Sequence, residues 1–135
     1  MLDFLRFHHI GFACFDIDES KVFYEKMGYQ ASVTMDDPLQ DTRVCFLKKE
    51  GMPYLELISP IDEKSPVNRL LQAQGVMPYH ICYEVDDIEL TMQKLRKEQK
   101  FILVTSPKPA CAIDNRRVAF MFRKDVGLIE LVESS

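Results

Sequence analysis

The sequence has 135 residues, 47% of them hydrophobic and 28% charged, with a net charge of -4 at pH 7. This length and composition indicate one soluble globular domain and exclude a disordered chain, and no apolar segment is long enough to cross a bilayer. The negative charge and the lack of a basic run argue against nucleic-acid binding, and the start MLDFLRF has no apolar region of the kind that directs secretion.

The cysteines are far apart and form no CxxC motif, which argues against a zinc ribbon or a redox pair. Without an export signal, we expect them to be reduced and packed as small apolar side chains. The same reasoning predicts a cytoplasmic location. The four residues are Cys14, Cys45, Cys82 and Cys111.

The order of segments along the chain repeats once. HHIGFACFDID at residues 8–18 has a counterpart in YHICYEVDDIE at 79–89, whose matching His-Ile pair lies 71 positions later. RVCFLKK recurs as RVAFMFR, and YLELISP as LIELVES, both at an offset of 74. The repetition predicts a duplicated unit with a slightly longer loop in the second copy.

Each copy is predicted to have the order βαβββ, and acidic residues are expected to cap the two helices (Asp16 or Asp18; Asp86 or Asp87). A connecting helix is predicted over about 65–75, with Ser65 as its N-cap, Pro66 in its first turn and Gly75 at its end. The single domain 1–135 thus has module 1 at about 7–60 and module 2 at about 78–133. The predicted strands are 7–15, 30–36, 42–48, 53–59, 78–85, 101–105, 116–123 and 127–133, and the other helices are 18–27 and 87–98.

One His and one Glu in each copy occupy equivalent strand positions. Side chains on a strand alternate between its faces, so His9 shares a face with Gly11, and His80 shares a face with Cys82. If the sheets curve, the four side chains His9, Glu56, His80 and Glu130 can converge on one point. Two imidazoles and two carboxylates suit a divalent cation with N and O ligands, whereas buried carboxylates without a cation would repel each other. His8 has the opposite parity and is expected to be structural.

With these motifs the chain resembles the vicinal oxygen chelate superfamily, which includes glyoxalase I, bleomycin-resistance proteins and extradiol dioxygenases. It is most similar to the methylmalonyl-CoA epimerase group, through HHIGFACFDIDESKVFYEKMGY, DEKSPVNRLLQAQG, YHICYEVDDIE and RRVAFMFRKDVGLIELVE. The resemblance implies an α+β fold, with two βαβββ modules forming a curved eight-strand cup around a divalent cation (Zn, Co, Ni or Mn). It also implies a homodimer and a metal site at His9, Glu56, His80 and Glu130.

The chain departs from that group in two places. Val44 stands on the third strand where some epimerases have a carboxylate, and the loop SPKPACAIDNRR lacks the glycine usual in the group. That loop helps to shape the substrate pocket in the group, so the departure bears on the substrate more than on the metal.

The predicted activity is metal-dependent removal of a proton next to a carbonyl, on a small acyl-CoA such as methylmalonyl-CoA. Glu130 is the predicted base, with Glu56 or Asp41 as the weaker partner. Cations that could meet the coenzyme A phosphates are Lys108, Arg116 and Arg117. The alternatives are a glyoxalase-like lyase acting on a thiol adduct and a non-enzymatic binding protein for a drug or metabolite.

Overall fold

The computed structural model describes all 135 residues and has an α+β fold with nine strands and three α-helices. Contacts divide the chain into two compact units, one made of residues 9–79 and the other of residues 1–8 with 80–135. The predicted α+β class and repeated segment order are confirmed. The assignment of residues 1–135 to one domain stays a prediction.

The first unit contains a helix-covered sheet. Its strand order is β2-β4-β5-β1, and β3 also pairs with β4. β1 runs parallel to β5, whereas β2, β3 and β5 are antiparallel to β4. Its elements are β1 (Arg6–Ala13), α1 (Ile17–Lys26), β2 (Gln30–Ala31), β3 (Met35–Asp37), β4 (Thr42–Lys48), β5 (Leu55–Pro60) and α2 (Val67–Gln74).

The second unit repeats this pattern in the strand order β6-β9-β8-β7. β6 runs parallel to β9, and the other pairs are antiparallel. No helix in the chain is both long and apolar enough to span a membrane. The elements are β6 (Met77–Val85), α3 (Ile88–Gln99), β7 (Ile102–Ala110), a 3-10 helix (Cys111–Ile113), β8 (Arg116–Arg123) and β9 (Gly127–Glu133).

The prediction of one strand over 30–36 was wrong, because two short strands, β2 and β3, replace it. Ser32 causes the interruption, since its side-chain Oγ accepts the hydrogen bond from the Phe46 backbone N–H at 2.9 Å. Backbone pairing with β4 resumes at Met35. In the second unit, β7 continues to Ala110 instead of ending near 105, with register shifts on both sides of Thr105.

The helix caps follow the prediction in two of three cases. Asp16 Oδ1 accepts hydrogen bonds from the N–H groups of Asp18 and Glu19, and Asp87 Oδ1 accepts one from Leu90 N–H. The predicted cap at Ser65 was wrong. α2 begins at Val67, so its cap position falls on Pro66, whose side chain cannot accept a hydrogen bond. Ser65 lies buried in the preceding turn, where its N–H donates to the Asp62 carbonyl.

Each sheet buries one face against its own helix. In the first unit, Leu47 on β4 and Leu57 on β5 pack with Ile17 of α1. In the second unit, Met121 on β8 and Leu131 on β9 pack with residues of α3. Alternation along the strands therefore sends the intervening side chains, including both predicted glutamates, to the opposite face.

The cysteines are free, as predicted, and all but Cys111 are buried. Cys14 and Cys45 belong to the core of the first unit. Burial raises the pKa of the Cys14 thiol to about 11, from an ordinary value of 9.0. The protonated thiol is therefore favoured in the folded protein.

The raised pKa of Cys14 predicts a loss of stability at alkaline pH. The unfolded chain releases the Cys14 proton before the folded chain does, so the stabilising contribution is complete below about pH 9. It is lost as the pH rises towards 11. We expect the free energy of unfolding, measured by urea titration, to fall less steeply over this range in Cys14→Ala than in wild type. Cys111→Ala is the matched control, and an unchanged slope in Cys14→Ala would contradict the assignment.

Candidate metal centre

The first unit brings His9 and Glu56 together. β1 and β5 are parallel with Gly11 opposite Glu56, so His9, two residues before Gly11, lies on the same face as the carboxylate. His9 Nε2 lies 3.2 Å from Glu56 Oε1. His9 has no exposed surface and Glu56 is 6% exposed. The pair is therefore a buried nitrogen donor beside a buried oxygen donor.

The second unit builds an equivalent pair from His80 and Glu130. β6 and β9 are parallel, with Cys82 opposite Glu130. His80 lies two residues before Cys82, so its side chain is on the same face as the Glu130 carboxylate. His80 Nε2 lies 3.2 Å from Glu130 Oε1, and both residues are 3% exposed. The two units thus place the His and the Glu on equivalent strands, with the His two residues before the residue opposite the Glu, and they bring the same two donor atoms together.

A phenylalanine contacts each imidazole edge-on. Phe46 lies opposite Glu56 on β4, and its ring centroid is 5.1 Å from that of His9 at an interplanar angle of 90°. Phe120 lies opposite Glu130 on β8, with its centroid 5.3 Å from that of His80 at 85°. These contacts limit rotation of the two imidazoles and hold their Nε2 atoms towards the carboxylates.

A neighbouring hydroxyl fixes the backbone of each phenylalanine. Ser32 Oγ accepts the Phe46 N–H, and Thr105 Oγ1 accepts the Phe120 N–H, in both cases at 2.9 Å. The roles of these four residues were not predicted from the sequence. The signal was present, since Phe46 and Phe120 occupy the same place in RVCFLKK and RVAFMFR.

The donor set fits a divalent cation. Each of the four residues offers a nitrogen or oxygen atom of the kind that holds a metal ion. Two ligands at about 2.1 Å from one cation lie about 3.0 Å apart at a right angle and about 3.4 Å apart at a tetrahedral angle. The 3.2 Å between Nε2 and Oε1 in both pairs falls between these values. Borderline cations that accept both imidazole and carboxylate are the best match.

The predicted phosphate-binding cations lie on β7 and β8. Arg116 Nη2 donates to Glu84, which lowers the pKa of that carboxyl, and Arg116 Nε donates to the Glu133 carbonyl at 2.7 Å. Arg117 Nη1 donates to Glu89 Oε1 at 2.6 Å. Both guanidinium groups are thus ion-paired, whereas Lys108 is exposed.

The hairpin between β3 and β4 contains two acids in different environments. Asp41, the predicted weaker partner, is partly exposed in the turn at φ 54°, and its carbonyl accepts the Ile61 N–H. Asp37, which the sequence analysis did not select, is only 3% exposed. Desolvation by burial raises the pKa of the Asp37 carboxyl.

The model of the Glyoxalase/Bleomycin resistance protein/Dioxygenase superfamily matches residues 8–120. The chain belongs to this superfamily. Human mitochondrial methylmalonyl-CoA epimerase is 31% identical over 134 residues, which cover 96% of this chain and 74% of that protein. An ethylmalonyl-CoA/methylmalonyl-CoA epimerase of Cereibacter sphaeroides is 30% identical over 132 residues, covering 93% of this chain and 96% of that protein. The resemblance inferred from the sequence is thereby confirmed.

Solved structures of superfamily members agree with this fold. Methylmalonyl-CoA epimerase from Mycobacterium tuberculosis gives a TM-score of 0.85 at 27% identity, covering 96% of this chain and 88% of that one. A variant of the Streptomyces coelicolor epimerase, in complex with 2-nitronate-propionyl-CoA, gives a TM-score of 0.82 at 28% identity and covers 96% and 97%. The homodimer expected from the resemblance stays a prediction.

Proposed function

We propose that the protein is a metal-dependent isomerase that epimerises methylmalonyl-CoA or a closely related acyl-CoA. The observation that carries the proposal is the buried His–Glu pair that each unit builds at the same register, in a chain whose relatives are named as epimerases. His9, Glu56, His80 and Glu130 would together hold one divalent cation (Zn, Co, Ni or Mn).

The chemistry of the proposal is proton transfer at the carbon next to a thioester carbonyl. When bound, the cation would supply Lewis-acid stabilisation of the negative charge that develops on the carbonyl oxygen. Glu130 accepts the proton as a general base, because its carboxylate is buried and held beside His80. Inversion needs a second group that returns a proton to the other side, and Glu56 or Asp41 is the residue predicted from the sequence for this role.

Coenzyme A would bring phosphates that need cationic partners. We assign this contact first to Lys108, which lies exposed on β7. Arg116 and Arg117 remain candidates, although each must then share its hydrogen-bond donors with Glu84 or with Glu89. The acyl-CoA ligand of the Streptomyces coelicolor complex supports this substrate class.

Exchange with heavy water tests the proposed function. The purified wild-type protein is analysed for bound metal and incubated in D2O with one epimer of methylmalonyl-CoA, and the α-proton is followed by proton NMR. We expect about one divalent ion per proposed site, loss of the α-proton signal and appearance of the other epimer. Bound metal without exchange on any acyl-CoA would favour glyoxalase-like lyase chemistry instead, and protein without metal would favour the non-enzymatic binder.

A further inference from the structure

We propose that Asp37 is the second proton-transfer group of the reaction, serving the side of the substrate carbon that Glu130 does not serve. This inference rests on the proposed function and deepens it. It replaces the partly exposed turn residue Asp41 with a buried acid on the neighbouring strand.

The strand register places Asp37 on the same face of the sheet as Glu56. In the antiparallel pair of β3 and β4, Asp37 lies opposite Thr42, and directly opposed residues share a face. Thr42 and Phe46 are four residues apart on β4, so their side chains point to the same face, and Phe46 lies opposite Glu56 on β5. Asp37, Phe46 and Glu56 therefore belong to the face that carries His9, not to the face covered by α1.

Val44 lies on this face between the two acids. It lies opposite Met35 on β3, and its side chain is on the same face of β4 as those of Thr42 and Phe46. Some epimerases have a carboxylate at this third-strand position, and this chain has an aliphatic side chain there. Asp37 is the acid of the adjacent strand on this face, and it lies two residues along β3 from Met35, the residue opposite Val44.

The surroundings of Asp37 differ from those of an ordinary surface acid. Its neighbour Asp36 is exposed and forms an ion pair with Arg43 at 2.8 Å. Asp37 forms no ion pair, and its Oδ2 accepts a hydrogen bond from Gln40 Nε2 at 2.7 Å. The backbone N–H groups of Leu39 and Gln40 also donate to this carboxyl, so Asp37 is held in place by hydrogen bonds of the turn while it stays buried without a cation. Burial raises the pKa of the Asp37 carboxyl, so its protonated form, the form that donates a proton, is favoured.

The proton balance of the cycle closes with two carboxyl groups. Glu130 as carboxylate takes the α-proton, and the electron pair of the broken C–H bond moves into the enolate. Asp37 as carboxylic acid donates its proton to the other side, and the enolate electron pair forms the new C–H bond. Proton exchange with water then resets both groups, and the opposite epimer uses the two groups in the reverse order.

The test uses Asp37→Asn, which keeps an oxygen acceptor and nearly the same shape. We expect epimerisation to fall about 10²-fold or more, because an amide cannot transfer the proton. Deuterium exchange without inversion should persist for the epimer whose proton faces Glu130 and disappear for the other epimer. Asp36→Asn is the matched control on the opposite face of the same strand and should stay within about twofold of wild type in both assays.

Several results would overturn the assignment of Asp37. Epimerisation by Asp37→Asn within about twofold of wild type would do so. Loss of activity in Asp41→Asn, with activity kept in Asp37→Asn, would also do so. A third such result is equal loss of exchange from both epimers in an Asp37→Asn protein that is folded and retains its metal. If this variant does not fold, wild-type protein gives the answer, since a product that keeps the substrate's own α-proton would indicate a single base. If wild type neither epimerises an acyl-CoA nor exchanges its α-proton, the proposed function fails; a change confined to the variants concerns Asp37 only.

Discussion

Glu130→Gln is expected to slow α-proton exchange by about 10²–10⁴-fold, the usual contribution of a general base, while the bound cation is retained. The amide oxygen of Gln can still act as a metal ligand, but the neutral amide cannot accept the proton. Exchange is measured by proton NMR in D2O, and bound metal is measured on the same sample by elemental analysis.

Glu56→Gln is the matched comparison for this experiment, because Glu56 has the same donor geometry in the other unit. A smaller loss of exchange in Glu56→Gln would support Glu130 as the base. If exchange in Glu130→Gln falls only in proportion to lost metal, Glu130 is a ligand without a separate role in proton transfer.

Removal of the cation by a chelator is expected to abolish exchange and to lower the free energy of unfolding. A ligand that binds only the folded state stabilises it by about 2.7 kcal/mol at 100 times its Kd and by about 4.1 kcal/mol at 1,000 times its Kd. Without the cation, two buried carboxylates lose the positive charge that offsets their mutual repulsion. Urea unfolding with and without added metal measures the difference, and restoring the metal should restore exchange.

Single histidine variants test the ligand assignment by metal content. His9→Gln and His80→Gln should each lose most of the bound cation, because each removes one of the two imidazole donors. His8→Gln is the comparison variant, because His8 adjoins His9 on β1 but is not one of the four proposed ligands. Loss of the metal from His8→Gln, or its full retention in both other variants, would contradict the proposed ligand set.

The faces of the donor residues could be predicted because strand alternation has a fixed period. His9 and Glu56 belong to regular strands in which a buried face packs on α1, so parity alone assigned both side chains to the other face. The same reasoning identified His80 and Glu130. Repetition within the chain strengthened the prediction, since it required a matching pair in each copy.

Features that depend on side-chain bonds between strands could not be predicted in this way. Ser32 looks like an ordinary strand residue in the sequence, but its hydroxyl replaces a backbone acceptor and divides the predicted strand in two. Asp37 and Asp41 both read as polar hairpin residues, and only the fold shows that one is buried. The ion pairs of Arg116 and Arg117 likewise join residues far apart in sequence.

The outer strand β7 pairs only with β8 and has the register shifts described above. Pro107 and Pro109 fall in its second half, where a missing backbone N–H and a local twist both hinder the attachment of a further strand. The first part, from Ile102 to Val104, has no proline and is apolar and exposed. Self-association into fibrils, if the protein is destabilised, would therefore start from this part of the strand.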